Sequence, residues 1–187
     1  MARTPSGMVA LGTEAAQFEL PDTVSGGLVS LEASRGRKAT VIMFICNHCP
    51  FVKHVNPQLV RLATDYQSRG VSFLAISSND AAGYPDDAPD KMHEQAISLA
   101  YPFPYLYDES QETARKYGAA CTPDFFVFDQ SMKLVYRGQL DDSRPGNQIP
   151  VTGRDIRVAL DAVLQGNPVP VDQRPSMGCN IKWKVNA

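Results

Sequence analysis

Nowhere does the chain carry the long apolar run that a membrane span requires, and its first residues, Met1 to Thr13, lack the apolar segment of a signal peptide. The expectation is a soluble, cytoplasmic protein. Charge of one sign is equally scarce. Eighteen basic residues against twenty acidic ones leave a formal net charge of −2, too weak a field to draw nucleic acid or a membrane surface. Internal repeats, low-complexity tracts and long linkers are missing too. With 187 residues, 43% of them apolar, the chain reads as a single domain spanning 1–187, of which 167–187 is a C-terminal tail. Cysteine is sparse, four in all, which excludes the cysteine-dense scaffold of a small secreted protein. Two of the four nevertheless stand together as Cys46-Asn47-His48-Cys49, and a single close pair in a chain of this kind points to redox catalysis or metal binding.

Fourteen prolines and thirteen glycines punctuate the chain and mark out its elements. Val41 to Ile45 and Val71 to Ile76 are short and almost continuously apolar, as central strands covered on both faces should be. Between them Val52, Val55, Leu59, Leu62 and Tyr66 recur at helical spacing, with Lys53, Gln58, Arg61 and Asp65 off the stripe and Gly70 as the stop. Strand, helix, strand makes a right-handed βαβ unit. A second helix is expected around Met92, Ala96 and Leu99, with Asp87 or Asp90 near its start. A short strand follows at 104–107. Asp108 and Gln111 then read as a capping box for a helix closed by Gly118. Phe125 to Phe128 and Leu134 to Tyr136 read as an edge hairpin. Thr152 is placed to cap a last helix reaching Leu164 and ended by Gly166. The tail holds the only tryptophan, Trp183, so it is expected to pack on the domain rather than hang free.

Cys46 follows directly on a buried strand and is read as opening the helix. There the free N–H groups and the dipole stabilise a thiolate. Cys46 is therefore expected to be the more exposed and more acidic thiol, the nucleophile, with Cys49 deeper as the resolver. His48 and Asn47 are candidate tuning residues: an imidazolium beside the sulfurs would favour the reduced form and make the disulfide more oxidising. A lone Cys-x-x-Cys also reads as half of a zinc site. No second such pair exists, so no metal ligand set is assigned and no cofactor is expected. A metal- or copper-binding module using Cys46, Cys49 and a histidine, with Cys121 as a further candidate ligand, is the alternative from another class.

Strand, Cys-x-x-Cys, helix, strand, then Thr122-Pro123 before a hairpin resembles the thioredoxin superfamily. More narrowly, the chain is similar to the AhpC/TSA-like redoxins, in a peroxiredoxin-like branch that carries Cys-x-x-Cys. The matching stretches include 18–22, 44–55, 77–92, 118–129, 136–146 and the Gly178-Cys179-Asn180-Ile181-Lys182-Trp183 tail. The resemblance implies a thioredoxin-like α/β fold: a central mixed sheet flanked by helices, here with an N-terminal strand and hairpin extension and a packed tail. It implies thiol–disulfide exchange with protein or low-molecular-weight thiol and disulfide substrates, and an electron donor that the sequence does not name. It further implies a cis Thr122–Pro123 bond facing the dithiol, with Cys121, Thr122 and Pro123 as substrate-binding residues.

The sequence also departs from relatives. Ile45 and Asn47-His48 stand where thioredoxin has tryptophan and Gly-Pro, and Thr40 stands where thioredoxin holds a buried acid. In peroxiredoxins the peroxidatic cysteine aligns with Cys49, but the threonine three residues earlier is here Cys46. Thiol peroxidase is thus an alternative activity, with Arg137 and Arg144 as candidates for activating a thiolate. Cys179 is a candidate third redox thiol, and no structural Cys121–Cys179 disulfide is expected in a reducing compartment. His54 and His93 are read as solvated. The acidic stretch 79–90 is read as a loop near the edge of the site.

Overall fold

The computed structural model describes residues 3–185. In chain order the elements are β1 (Arg3–Pro5), the hairpin β2 (Glu19–Pro21) and β3 (Leu28–Ser30), and a single-turn helix α1 (Leu31–Ser34). Then come β4 (Ala39–Phe44), α2 (Pro50–Gln67), β5 (Val71–Ser77), a 3-10 turn at Pro85–Asp87 and α3 (Pro89–Ser98). β6 (Tyr105–Tyr107), α4 (Glu112–Tyr117), β7 (Cys121–Thr122), β8 (Asp124–Asp129), β9 (Leu134–Gly138), α5 (Arg154–Gln165) and β10 (Met177–Asn180) complete the chain.

The near-continuous apolar run of β4 follows from its place in the middle of a five-stranded sheet ordered β6-β5-β4-β8-β9. It runs parallel to β5 and antiparallel to β8, and all six of its residues are buried. Alternate side chains enter two different cores. Val41 and Met43 pack with Val52, Leu59 and Leu62 of α2, Met92 of α3 and Ile156 of α5. Ile42 and Phe44 pack on the opposite face with Phe126 and Phe128, Tyr117 of α4, and Phe18 and Leu20 of the N-terminal segment. At about 1.5–3 kcal/mol for each buried aliphatic or aromatic side chain, these two layers dominate the stability of the domain. The fold is the thioredoxin-like mixed α/β arrangement expected from the sequence.

Several element boundaries differ from the expectation. Asp108 and Gln111 do not form a capping box. Gln111 is the left-handed residue before α4, and the Asp108 carboxylate takes the Ala114 N–H from outside the helix at 3.0 Å. The Gln111 side chain instead donates to the carbonyls of Ser78 and Lys182 and accepts from Lys184 N–H. It thereby fastens the tail. Gly153 holds the cap position of α5, which ends at Gly166, φ 71°, and the Thr152 hydroxyl accepts from the Arg154 N–H at 3.3 Å, so it serves the helix start from one residue further out. Trp183 packs under Arg115, whose guanidinium carbon lies 4.6 Å from the ring centre, so the tail is attached as its composition suggested.

A second, small sheet ties the tail to Thr122–Pro123. β10 lies between β1 and β7, antiparallel to both. Cys179 stands opposite Thr122 on one side and Arg3 on the other. Gly178 is required for this seat: a Cβ there would lie 2.0 Å from the Thr122 carbonyl oxygen.

Arg137 and Asp124, on neighbouring strands, form an ion pair at 3.0 Å with both side chains sealed from solvent. Burial pushes the Asp124 carboxyl up to about 7 against the pull of Arg137. We expect Arg137→Met to lower the unfolding free energy by about 3–5 kcal/mol at alkaline pH, where the wild-type carboxyl is ionised and the variant would strand it without its partner. The loss should shrink toward acid pH, where that carboxyl binds a proton in the folded state. Urea unfolding across pH measures both effects, and a pH-independent loss below about 1 kcal/mol would contradict them.

Candidate active site

The parallel pairing of β4 with β5 extends one residue past the strand, with Ile45 N–H bonded to Ile76 carbonyl at 3.0 Å. Cys46 therefore leaves the sheet inside the core. The helix does not begin there. Residues 46–49 form a bend, Pro50 is the first residue of α2, and Cys49 is its cap. Proline at that position removes an N–H that would have no partner in the helix. The helix N-terminus thus faces the second sulfur, not the first. Nor is Cys46 the exposed thiol, since both residues are fully buried.

Cys49 is the acidic thiol, held down at about 5. The largest cause is the Cys46 S–H donating to its sulfur; burial opposes, and the Cys179 thiol and the N–H groups of Val52 and Cys179 add to the stabilisation. Val52 occupies the third helical position, where the N–H of an α-helix is unbonded within the helix, although no capping bond of ordinary length forms. The Thr122 carbonyl, 3.2 Å from Cys49 Sγ, works the other way and favours a protonated sulfur. Cys46 is correspondingly raised: it donates to Cys49, it is buried, and Asp87 places negative charge nearby. Its sulfur also lies 3.3 Å from Thr122 Oγ1.

Asp87 organises the loop between the cysteines. Its carboxylate is fully buried and accepts from Asn47 N–H at 2.8 Å, His48 N–H at 3.2 Å and Asn79 Nδ2 at 2.7 Å. It also lies 2.6 Å from His48 Nδ1. Burial alone would raise this carboxyl, but the bonds from His48 and Asn79 hold it below the usual range. The sequence suggested Asp87 as a residue near the start of a helix and as part of an acidic loop near the edge of the site, and no spacing rule links it to residues forty positions earlier. A buried acid does serve this site, from a different element than Thr40, which accepts from Gly36 N–H at the far end of β4.

The two tuning candidates behave differently from expectation. His48 lies 2.6 Å from Asp87 through Nδ1 and stacks on Tyr84 at 5.3 Å. Asn47 accepts from the Tyr105 hydroxyl at 3.1 Å through its side-chain oxygen, inside the core. Cys46, His48 and Asp87 offer ligand atoms within 4.8 Å of one another, the cluster among the described residues with metal-binding dimensions. That set differs from the one anticipated, since neither Cys49 nor Cys121 belongs to it.

Thr122–Pro123 is a cis peptide bond and lies over the dithiol, with the backbone of Thr122 on Cys49 and its side chain on Cys46. Cys179, across from Thr122, shares its face of the small sheet and reaches Cys49. Burial, followed by donation to Cys49, pushes the Cys179 thiol up to about 12. Cys121 alternates to the other face, its sulfur 3.8 Å from the Pro123 carbonyl and its thiol raised by burial. Arg137 is spent on Asp124 and on the Tyr117 and Gly118 carbonyls. Arg144 bonds the carbonyls of Asp141 and Ser143 and the side chain of Gln139. The hydrogen bonds of these two guanidinium groups thus go to other partners than the sulfurs. His54, expected in solvent, is half-buried and lies 2.6 Å from Ser143 Oγ, while His93 stays exposed with Nδ1 2.7 Å from the Thr23 carbonyl.

Asp87→Asn should leave at least one of these N–H donors without its acceptor. We expect a stability loss of about 1–3 kcal/mol and a lower Cys46 pKa, since the negative charge beside it disappears. Urea unfolding and the pH dependence of Cys46 alkylation read the two effects separately. An unmoved Cys46 titration would show that Asp87 acts only as a scaffold.

Residues 11–137 match the AhpC/TSA family. The chain is 61% identical, with TM-score 0.98, to an uncharacterized conserved protein of Geobacillus kaustophilus, covering 100% of this chain and 99% of that one. It shares its fold, at 19% identity and TM-score 0.66, with a putative thiol:disulfide interchange protein DsbE of Chlorobium tepidum, covering 84% and 99% of the two chains. It does so also, at 20% identity and TM-score 0.62, with the peroxidoxin BcpB of Mycobacterium tuberculosis, covering 83% and 96%. No curated protein matches the sequence. No helix among the described residues is long and apolar enough to cross a membrane. With two-thirds of its length matched by the family, the chain belongs to the AhpC/TSA family, and its fold is thioredoxin-like.

Proposed function

We propose that the protein is a thiol–disulfide oxidoreductase in which Cys49 is the attacking thiolate and Cys46 the resolving thiol. The observation that carries this reading is the asymmetry of the pair: one sulfur held acidic by converging donors, its neighbour holding the proton. Cys49 attacks one sulfur of a substrate disulfide, the other substrate sulfur leaves as a thiolate, and a mixed disulfide remains on Cys49. Cys46 then gives up its proton and attacks Cys49 sulfur, releasing the second substrate thiol and leaving a Cys46–Cys49 disulfide. An external thiol donor returns the pair to the dithiol. The reverse sequence oxidises substrate thiols.

Low-molecular-weight disulfides fit this site better than extended polypeptides. The backbone of β7 beside Pro123, where a substrate strand would pair, is already bonded to β10, and β10 is bonded in turn to β1. Since both sulfurs are buried, exchange needs a local opening of the 46–49 bend or of β10. Thr122 and Pro123 are substrate-facing residues in this reading; Cys121, turned to the other face, supports them from behind.

A peroxidase reading draws on the position of Cys49 at the start of α2 and on the peroxidoxin among the structural neighbours. Against it stands the commitment of Arg137 and Arg144 to other partners. The two readings separate in one assay series. With a dithiol donor, the wild-type protein should reduce glutathione disulfide, Cys49→Ser should lose that activity, and hydrogen peroxide should be consumed far more slowly than the disulfide. Faster consumption of peroxide than of any disulfide tried would reverse the assignment.

A pH profile tests the roles of the two sulfurs. Thiolate absorbance of the reduced protein should rise with a midpoint near 5 and vanish in Cys49→Ser, so single-turnover exchange should be nearly flat above that pH and fall below it. A first midpoint near the ordinary thiol value of about 8.5 would return Cys46 and Cys49 to equal standing.

A further inference from the structure

We propose that Cys179 is a working third thiol, presented to Cys49 by a strand of the chain itself, and that the site passes its disulfide from Cys46–Cys49 to Cys49–Cys179. This deepens the dithiol reading and rests on it.

The geometry comes from the small sheet. Residues directly opposite in an antiparallel pair project to the same face, so the side chain of Cys179 follows that of Thr122, which touches Cys46 at 3.3 Å. The Cys179 thiol donates to Cys49 sulfur, and its N–H also contributes to holding that sulfur acidic. Cys49 thus has two neighbouring thiols, Cys46 from its own bend and Cys179 from the tail.

The seat is built for this strand. Gly178 lies against the Thr122–Pro123 peptide, where a Cβ would meet the Thr122 oxygen at 2.0 Å and the Pro123 nitrogen at 3.2 Å. On its outer side β10 is held by β1, with Ser6 and Ser176 exchanging bonds just beyond. On its far end, Lys182 N–H donates to Asn79 Oδ1 at 2.8 Å, and the Lys182 carbonyl accepts from Asp80 N–H and from Gln111. Asn79 also donates to Asp87, so the tail and the cysteine bend are fixed through one shared side chain.

The step conserves electrons. Deprotonated Cys179 attacks Cys49 sulfur within the Cys46–Cys49 disulfide; the Cys49–Cys179 bond forms, the Cys46–Cys49 bond breaks, and Cys46 leaves as a thiolate that takes up the proton Cys179 lost. Oxidation enters from the substrate disulfide, as in the first cycle, and no other oxidant is needed.

The test uses Cys46→Ser full-length protein in a glutathione disulfide buffer, followed by acid quench, alkylation and peptide mapping without reduction. Cys49 is expected to take glutathione and then lose it to Cys179, so that the Cys49–Cys179 linked peptide dominates. Glutathione retained on Cys49, with Cys179 still open to alkylation under denaturing quench, would overturn the proposal. Wild-type protein mapped in parallel tests the dithiol reading by itself: a Cys46–Cys49 peptide there, with no bridge in Cys46→Ser, removes only the role of Cys179. Absence of every Cys49-containing disulfide in wild type removes both. Gly178→Ala guards against a chance bridge formed in unfolded chains: added to Cys46→Ser it should abolish the Cys49–Cys179 peptide, while in otherwise wild-type protein it should leave the Cys46–Cys49 peptide forming. An undiminished Cys49–Cys179 yield in the double variant would overturn the role of the strand.

Discussion

A sulfur can hold negative charge away from water only if donors converge on it, because desolvation of an unpaired ion costs several kcal/mol. Everything at this site follows from meeting that condition at Cys49. The start of α2 brings the Val52 N–H, the bend brings the Cys46 thiol, and the tail brings both the thiol and the amide of Cys179. No single element supplies enough. β4 and α2 alone would give an acidic thiol of the usual partly exposed kind; β10 seals it and adds donors that replace water. The tail is therefore part of the electrostatics of the site, not merely a cover.

The same condition explains Asp87. A bend that places two sulfurs in contact leaves its own N–H groups turned inward, and buried N–H groups need acceptors. One carboxylate supplies them for Asn47 and His48 together. Placing that charge beside Cys46 has a chemical consequence: it discourages a second thiolate and keeps the proton on Cys46. The scaffold and the acid–base asymmetry are two effects of one side chain.

The central strands, α2 and the edge hairpin were legible from apolar periodicity, since both faces of β4 and β5 are covered and the pattern has no other reading. The cysteines and Thr122–Pro123 were legible as a site because chemistry of this type carries its own spacing. Their division of labour was not. It depends on whether α2 begins at Cys46 or at Pro50, a shift of one helical turn, and terminal boundaries are where local sequence constrains least. Pro50 was the available signal, since proline favours the first helical position and its predecessor resists helical backbone. Asp87 and Gln111 were illegible for another reason. Their partners are distant in sequence, and the acidic 79–90 stretch has the composition of a solvated loop, although Asn79 and Asp87 are buried.

Register is what makes the tail chemical. Side chains on a strand alternate faces, so a slip of one residue in β10 would place Gly178 or Asn180 opposite Thr122 and turn Cys179 away from the dithiol. Such a slip is blocked twice. Any residue other than glycine at the position now held by Gly178 would collide with the Thr122 carbonyl, so neither Met177 nor Cys179 can move into that place. At the other end, the Lys182 backbone is gripped by Asn79, Asp80 and Gln111, which fixes how far along β7 the strand can sit. The Gly-Cys-Asn-Ile-Lys run thus encodes a position as well as a thiol: the glycine sets the depth, the lysine backbone sets the register, and together they aim Cys179 at Cys49.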